Sequence, residues 1–182
     1  MDFEKCQNFD DLCQANIRFL NGELDTSPYH LGPINSETYS ILDDIIELNK
    51  RGLLTTNSQP GCQIIDYLGK DYQQNAYITF ICRVNMAYYI LSHLEGYLGY
   101  TDRDNPIHAQ LGHHPTCDDY DLNFSIIHTP AWEVPISDLY HHHLWKELKT
   151  DYTGVCIFDP ILTRNELFSD LKNLVLTKDA IP

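Results

Sequence analysis

SETYSILDDIIELNKRGLLTTNSQPG, residues 36–61, carries the clearest local signals in the chain. Asn35 or Ser36 can cap a helix start, and Ile41, Leu42, Ile45, Ile46 and Leu48 form a wide apolar stripe against Asp43, Asp44 and Glu47. Lys50 and Arg51 fall in the last turn, where carbonyls lack partners, and Gly52 supplies the left-handed residue that stops a helix. Leu53 to Asn57 then reads as a strand, and Pro60-Gly61 suits the middle of a type II turn. The next apolar segment, Gln74 to Cys82, alternates: Ala76, Ile78, Phe80 and Cys82 face one way, Tyr77, Thr79 and Ile81 the other. Both of its faces are largely apolar, so it is expected to be a central strand. Because no helix separates these two strands, a doubly wound parallel sheet is not indicated. The expectation is an α+β fold, with one small mixed or mostly antiparallel sheet of about four strands covered by helices.

Outward from this stretch, Phe9, Leu12, Cys13, Ile17 and Leu20 share one helical face, with Asn8 as cap and Asn21-Gly22 as stop. Residues 23–35, with two prolines and a glycine, read as a loop. Val84 to Leu98 switches to a period near 3.6 and is nearly apolar all round, predicting a buried helix closed by Gly99. Residues 100–121 read as a long polar loop, Leu122 to His128 as a strand, and Ser137 to Leu148 as a short helix. Thr153 to Phe158 reads as a further strand. Thr163-Arg164-Asn165-Glu166 is a capping box opening a last helix on Leu167, Phe168, Leu171, Leu174 and Val175. The predicted order is α-α-β-β-α-β-α-β-α, and 182 residues suit one domain over 1–182.

The chain holds 26 acidic residues against 12 Lys and Arg, a formal charge of −14. Such a surface repels phosphate backbones and anionic membranes, so neither nucleic acid nor a membrane is expected as a partner. The six cysteines form no C-x-x-C pair, and no run of 18 apolar residues or charged-then-apolar leader is visible. These features predict a cytoplasmic protein with reduced thiols.

Chemistry is offered by a few clusters. Thr55, Thr56, Asn57, Ser58 and Gln59 gather short hydrogen-bonding side chains at the carboxyl end of the predicted strand, next to a turn that exposes backbone amides. With Gln74 they form the candidate ligand-binding set, suited to a polar small molecule or a peptide backbone. His113, His114, Asp118 and His128 are candidate ligands for zinc or manganese, supported by His108, Asp119, Asp121 and Glu133 in the same 108–133 segment, although none stands at a diagnostic spacing. Asp118-Asp119-Tyr120-Asp121 contains a D-x-D, and Cys117 is the one cysteine with histidines close in sequence. Adjacent His141, His142 and His143 would point about 100° apart on a helix and cannot share an ion. Twelve tyrosines, concentrated in the middle of the chain, suit a packed core or an interaction surface. No G-x-S-x-G, glycine-rich phosphate loop or dinucleotide fingerprint occurs, so serine hydrolase, kinase and Rossmann readings lack support.

Leu48 to Gly61, LNKRGLLTTNSQPG, resembles a family of uncharacterised actinobacterial and phage proteins. Their recurring pattern is a helix ending in L-N, then a glycine, a threonine-bearing strand and S-Q-P-G. Gln74 and Ala76 match that family's Gln-Arg-Ala strand start, while Asn75 departs from its arginine. The similarity covers about thirty residues, and the family carries no known activity. The expected function is a non-catalytic binding or interaction protein, a viral or mobile-element accessory factor, with no cofactor. Its partner is a protein or a small polar ligand, with homo-oligomerisation an open option. The alternative is a metal-dependent hydrolase built from the 108–133 segment, holding zinc or manganese.

Overall fold

The computed structural model describes residues 3–30, 32–65, 71–101, 109–110, 144, 148, 150–161 and 164–178. After a short 3-10 turn, Phe3–Lys5, helix α1 spans Phe9–Leu20. Asn8 Oδ1 accepts the Asp11 N–H at 2.8 Å, satisfying one of the helix's unpaired donors, and Asp11 Oδ2 accepts the N–H of Gln7, the residue before the cap, at 2.8 Å. Gly22, at φ 74°, ends it, with the Glu23 N–H donating to Arg18 O and the Gly22 N–H to Phe19 O, a Schellman closure.

The second helix departs from expectation at its start. Ser36–Ile41 is a 3-10 helix, and only Leu42–Lys50, α2, is α-helical. Asn35 makes no side-chain cap, and residues 36–40 bring no apolar side chain to the core, so nothing holds them in the wider α geometry. Ile41, Ile45 and Leu48 are buried, while Leu42 and Ile46 pack half-buried beside them. The stop is as predicted: Gly52 sits at φ 78°, and the Leu53 and Gly52 N–H groups return to Leu48 O and Asn49 O.

Among the described residues seven strands follow: β1 (Leu54–Gln59), β2 (Cys62–Ile65), β3 (Asp71–Gln74), β4 (Tyr77–Arg83), β5 (Leu98–Thr101), β6 (Ala109–Gln110) and β7 (Tyr152–Phe158). Helix α3 (Val84–His93) joins β4 to β5, and α4 (Leu167–Lys178) follows β7. The main sheet runs β1-β4-β7-β5-β6, antiparallel at every pairing, and β2 and β3 form a separate hairpin. The fold is α+β.

Several boundaries differ from the sequence reading. The single strand predicted from Gln74 to Cys82 is two: Gln74 ends β3 opposite Cys62, and β4 begins at Tyr77. The break falls where Asn75 and Ala76 turn to Asp159, Asn75 Nδ2 donating to its carbonyl at 2.7 Å and Ala76 O accepting its N–H at 2.8 Å. β4 is central, as its two apolar faces predicted. Ala76, Ile78, Phe80 and Cys82 join the larger core with α2, α3 and α4, while Ile81 joins Leu54 and the first half of α1 in a second cluster that includes Leu144, Leu148 and Tyr152. Helix α3 is shorter and less enclosed than predicted. It ends at His93, Gly96 at φ 83° turns the chain, Tyr88 is 49% exposed, and Gly99 lies within β5. β6 falls in the segment read as a loop and pairs with Leu98 and Gly99 of β5, the residues expected to end the helix. The predicted strand Leu122 to His128 and most of the predicted helix Ser137 to Leu148 lie outside the described residues.

Candidate functional site

β1 is an edge strand, and its polarity has two distinct origins. Thr55 is buried and enclosed by amides from two helices. Asn16 Nδ2 on α1 donates to Thr55 O at 3.0 Å and to its Oγ1 at 3.1 Å; Asn49 Nδ2 on α2 donates to the same Oγ1 at 2.7 Å. Asn49 Oδ1 accepts the Thr55 N–H at 3.3 Å and an N–H of Asn16 at 3.0 Å. Asn16 and Asn49, 2% and 1% exposed, therefore act as the missing neighbour strand at Thr55, satisfying both of its outward backbone groups. Thr56 is also committed internally, since its Oγ1 lies 2.9 Å from Thr79 Oγ1, which donates on to Asn57 O at 3.2 Å. Gln59 Nε2 donates to Glu37 Oε1 at 3.0 Å, tying the end of β1 to the 3-10 helix.

The register of β1 against β4 shifts between Thr55 and Asn57, and this bulge re-aims the residues that follow. Asn57 and Ser58 line a half-open cleft of about 160 Å³ bounded by α1, the 27–38 segment, α2 and β1. Ile34 and the buried Ile45 and Phe19 contribute apolar atoms to its lining, while Asn35, Thr38, Asn57 and Ser58 contribute polar ones. The 27–33 side is braced internally: Ser27 and His30 exchange backbone bonds, Ser27 Oγ accepts the Tyr29 N–H at 3.2 Å, and His30 Nε2 donates to Pro33 O at 2.9 Å. Among the described residues the side chains of Asn35, Thr38, Asn57 and Ser58 make no hydrogen bond, which separates them from Thr55, Thr56 and Gln59. The polar run is thus a strand edge rather than a turn. Four of its five residues line the cleft, Thr55 and Thr56 with committed side chains and Asn57 and Ser58 with uncommitted ones. Gln74 lies in the β2–β3 hairpin, opposite Cys62.

His113, His114, Asp118 and His128 lie outside the described residues, as do Cys117 and the D-x-D. Among the described residues no group of three or more His, Cys, Asp or Glu is arranged to hold a metal ion. Cys6, Cys13, Cys82 and Cys156 are buried and form no disulfide among the described residues, and burial pushes the Cys13 thiol well up, aided by Asp10, which makes it a poor nucleophile.

One polar cluster escaped the sequence reading. Asp159, fully buried, accepts Arg164 Nε at 2.5 Å and the Ile161 N–H at 2.9 Å; Arg164 lies 4.9 Å over the Tyr97 ring, and the Tyr97 hydroxyl donates to Asp170 at 2.5 Å. Gly61 N–H donates to Asn165 Oδ1 at 2.9 Å. These bonds fasten the 159–170 segment to residues that precede it by 68 to 104 positions, a separation no local pattern signals.

No helix among the described residues is long and apolar enough to cross a membrane. A comparison with curated proteins finds no match. Residues 2–98, which include the stretch from Leu48 to Ala76, match the model of a family described as a domain of unknown function, DUF6919. That match spans more than half of the 182-residue chain, and the protein belongs to this family.

Proposed function

We propose that the protein is a non-catalytic binding protein that takes a small polar molecule, or a short stretch of peptide, in the cleft beside β1. One observation carries the reading: four uncommitted polar side chains, Asn35, Thr38, Asn57 and Ser58, line a single preformed cleft of about 160 Å³. Ligand sites fix their ligands with a few placed polar groups, and this cleft is richer in them than in apolar surface. Idle polar side chains around a cleft are what a ligand can satisfy. The acidic balance of the chain favours a protein or small-molecule partner over nucleic acid or an anionic membrane. The resemblance to proteins found in actinobacteria and phages supports a role as an accessory factor of a virus or mobile element, acting in the cytoplasm.

The test is backbone-amide NMR of the labelled protein against a mixed library of small polar molecules and short peptides. Hits are expected to shift the amides of Asn35, Thr38, Asn57 and Ser58 together, and Asn57→Ala or Ser58→Ala should weaken them. Hits that map to another face, or indifference of those hits to both variants, would remove the cleft from consideration.

A further inference from the structure

The lining of the cleft restricts the chemistry of its occupant. Among the described lining residues there is no Asp, Glu, Lys or Arg. Apart from the His30 imidazole, whose Nε2 is bonded to Pro33 O, no lining group offers a charged ligand an opposite charge in return for its hydration, and an apolar ligand would leave the amides and hydroxyls unused. A neutral molecule with many hydrogen-bonding groups incurs neither cost.

Resting on the cleft being a binding site, we propose that its ligand is an uncharged polyhydroxylated molecule of single-ring size, a monosaccharide or a cyclitol. Three features select this class. The first is size: about 160 Å³ is close to the roughly 150 Å³ that accommodates one six-membered ring in a protein interior, so a disaccharide or a peptide of several residues would project beyond it. The second is donor and acceptor balance. Asn35 and Asn57 each offer an N–H₂ group beside a carbonyl, and Thr38 and Ser58 each offer a hydroxyl that donates and accepts. Adjacent hydroxyls on a ring also donate and accept at every position, whereas a peptide amide has one donor and one acceptor. The third is the mixed lining, in which part-buried Ile34 sets some apolar surface beside the polar groups, as the C–H and O–H edges of a saturated polyol require.

The test titrates the labelled full-length protein with hexoses, pentoses and inositols on one side. On the other stand inorganic phosphate, glutamate, lysine and an N-acetylated amino-acid amide. The expected result is that a neutral polyol shifts the amides of Asn57 and Ser58, and that Asn57→Ala and Asn35→Ala each weaken it about fivefold, the factor for one lost neutral hydrogen bond. Both positions lie on the rim and outside the core clusters, and an unchanged amide spectrum elsewhere in the variants certifies their fold. If phosphate, an amino acid or the peptide amide binds at these signals and no polyol does, the ligand class is wrong while the cleft remains a binding site. If no probe of either group moves these signals, the class and the site fall together.

Discussion

Tyr97 shows how one buried residue couples the fold to pH. Its ring is 2% exposed beneath the Arg164 guanidinium, and its hydroxyl donates to Asp170 at 2.5 Å. Burial first, and then the bond to the Asp170 carboxylate, hold its pKa well above the ordinary tyrosine value. A group whose folded pKa is raised contributes stability that is complete below the unfolded pKa, about 10 for tyrosine, and is lost as pH rises above it. Tyr97→Phe keeps the ring under Arg164 and removes only the hydroxyl. It should cost about 1–2 kcal/mol at pH 8, and by pH 11 the gap to the parent should close by about 1 kcal/mol. Urea unfolding of both proteins at the two pH values measures this, and a gap independent of pH would contradict it. At this scale the sequence exposes residue types but not their partners. The polarity of Thr55 was plain in the sequence, yet its use was not, because the amide that encloses it comes from Asn16, 39 residues earlier. Asn57 and Ser58 looked the same as Thr55 in sequence; what separates them is that the Thr55 groups are bonded to Asn16 and Asn49, while beyond the bulge the Asn57 and Ser58 side chains make no hydrogen bond among the described residues.

Elements were legible where the signal is local. The Asn8 cap, the Gly22 and Gly52 stops and the two-faced alternation of β4 each depend on residues within one turn or one strand, and each stands as read. What failed depends on distant partners. The split between β3 and β4 answers to Asp159, and the early end of α3 leaves Gly99 in a strand instead of at a helix terminus. Glycine is consequently required at positions 52 and 99 for different reasons. A Cβ on Gly52 would meet nothing within 4 Å, so Gly52→Ala suffers only the left-handed backbone, about 1–2 kcal/mol. A Cβ on Gly99 would lie 2.7 Å from Leu91 Cδ2 and 3.3 Å from both Cys156 O and Ile157 Cγ1, pressing α3 away from the sheet. Gly99→Ala should cost about 1–3 kcal/mol by overpacking. The two separate on Gly→Asn exchange, measured by thermal unfolding. Asn tolerates the left-handed region, so Gly52→Asn should be no worse than Gly52→Ala, whereas Gly99→Asn should be more damaging than Gly99→Ala.

Over the whole molecule, the family match and the fold do not share a boundary. Residues 2–98 contain β1, β4, α3 and the start of β5, but the strand between β4 and β5 is β7, Tyr152–Phe158, and the helix against α2 and α3 is α4. β7 is buried along its whole length, pairing with β4 from Arg83 to Tyr77 on one side and with β5 on the other. Without it β4 would expose a seven-residue edge, and β5 would keep only the two-residue β6 as partner. The larger core would also lose Val155, Ile157, Leu167, Phe168, Leu171 and Val175. Each fully buried aliphatic or aromatic side chain contributes about 1.5–3 kcal/mol, so together they rival the entire net stability of a domain, about 5–15 kcal/mol. The matched segment therefore cannot be self-sufficient in this chain. A fragment ending at Thr101 should give a collapsed amide NMR spectrum and no cooperative unfolding transition, and a separately supplied piece covering residues 144–182 should restore part of the dispersion by inserting β7. A well-dispersed spectrum from the short fragment alone would mean that residues 2–98 reach a different strand order without β7, and the central place of β7 would then be a property of the full chain and not of the family segment.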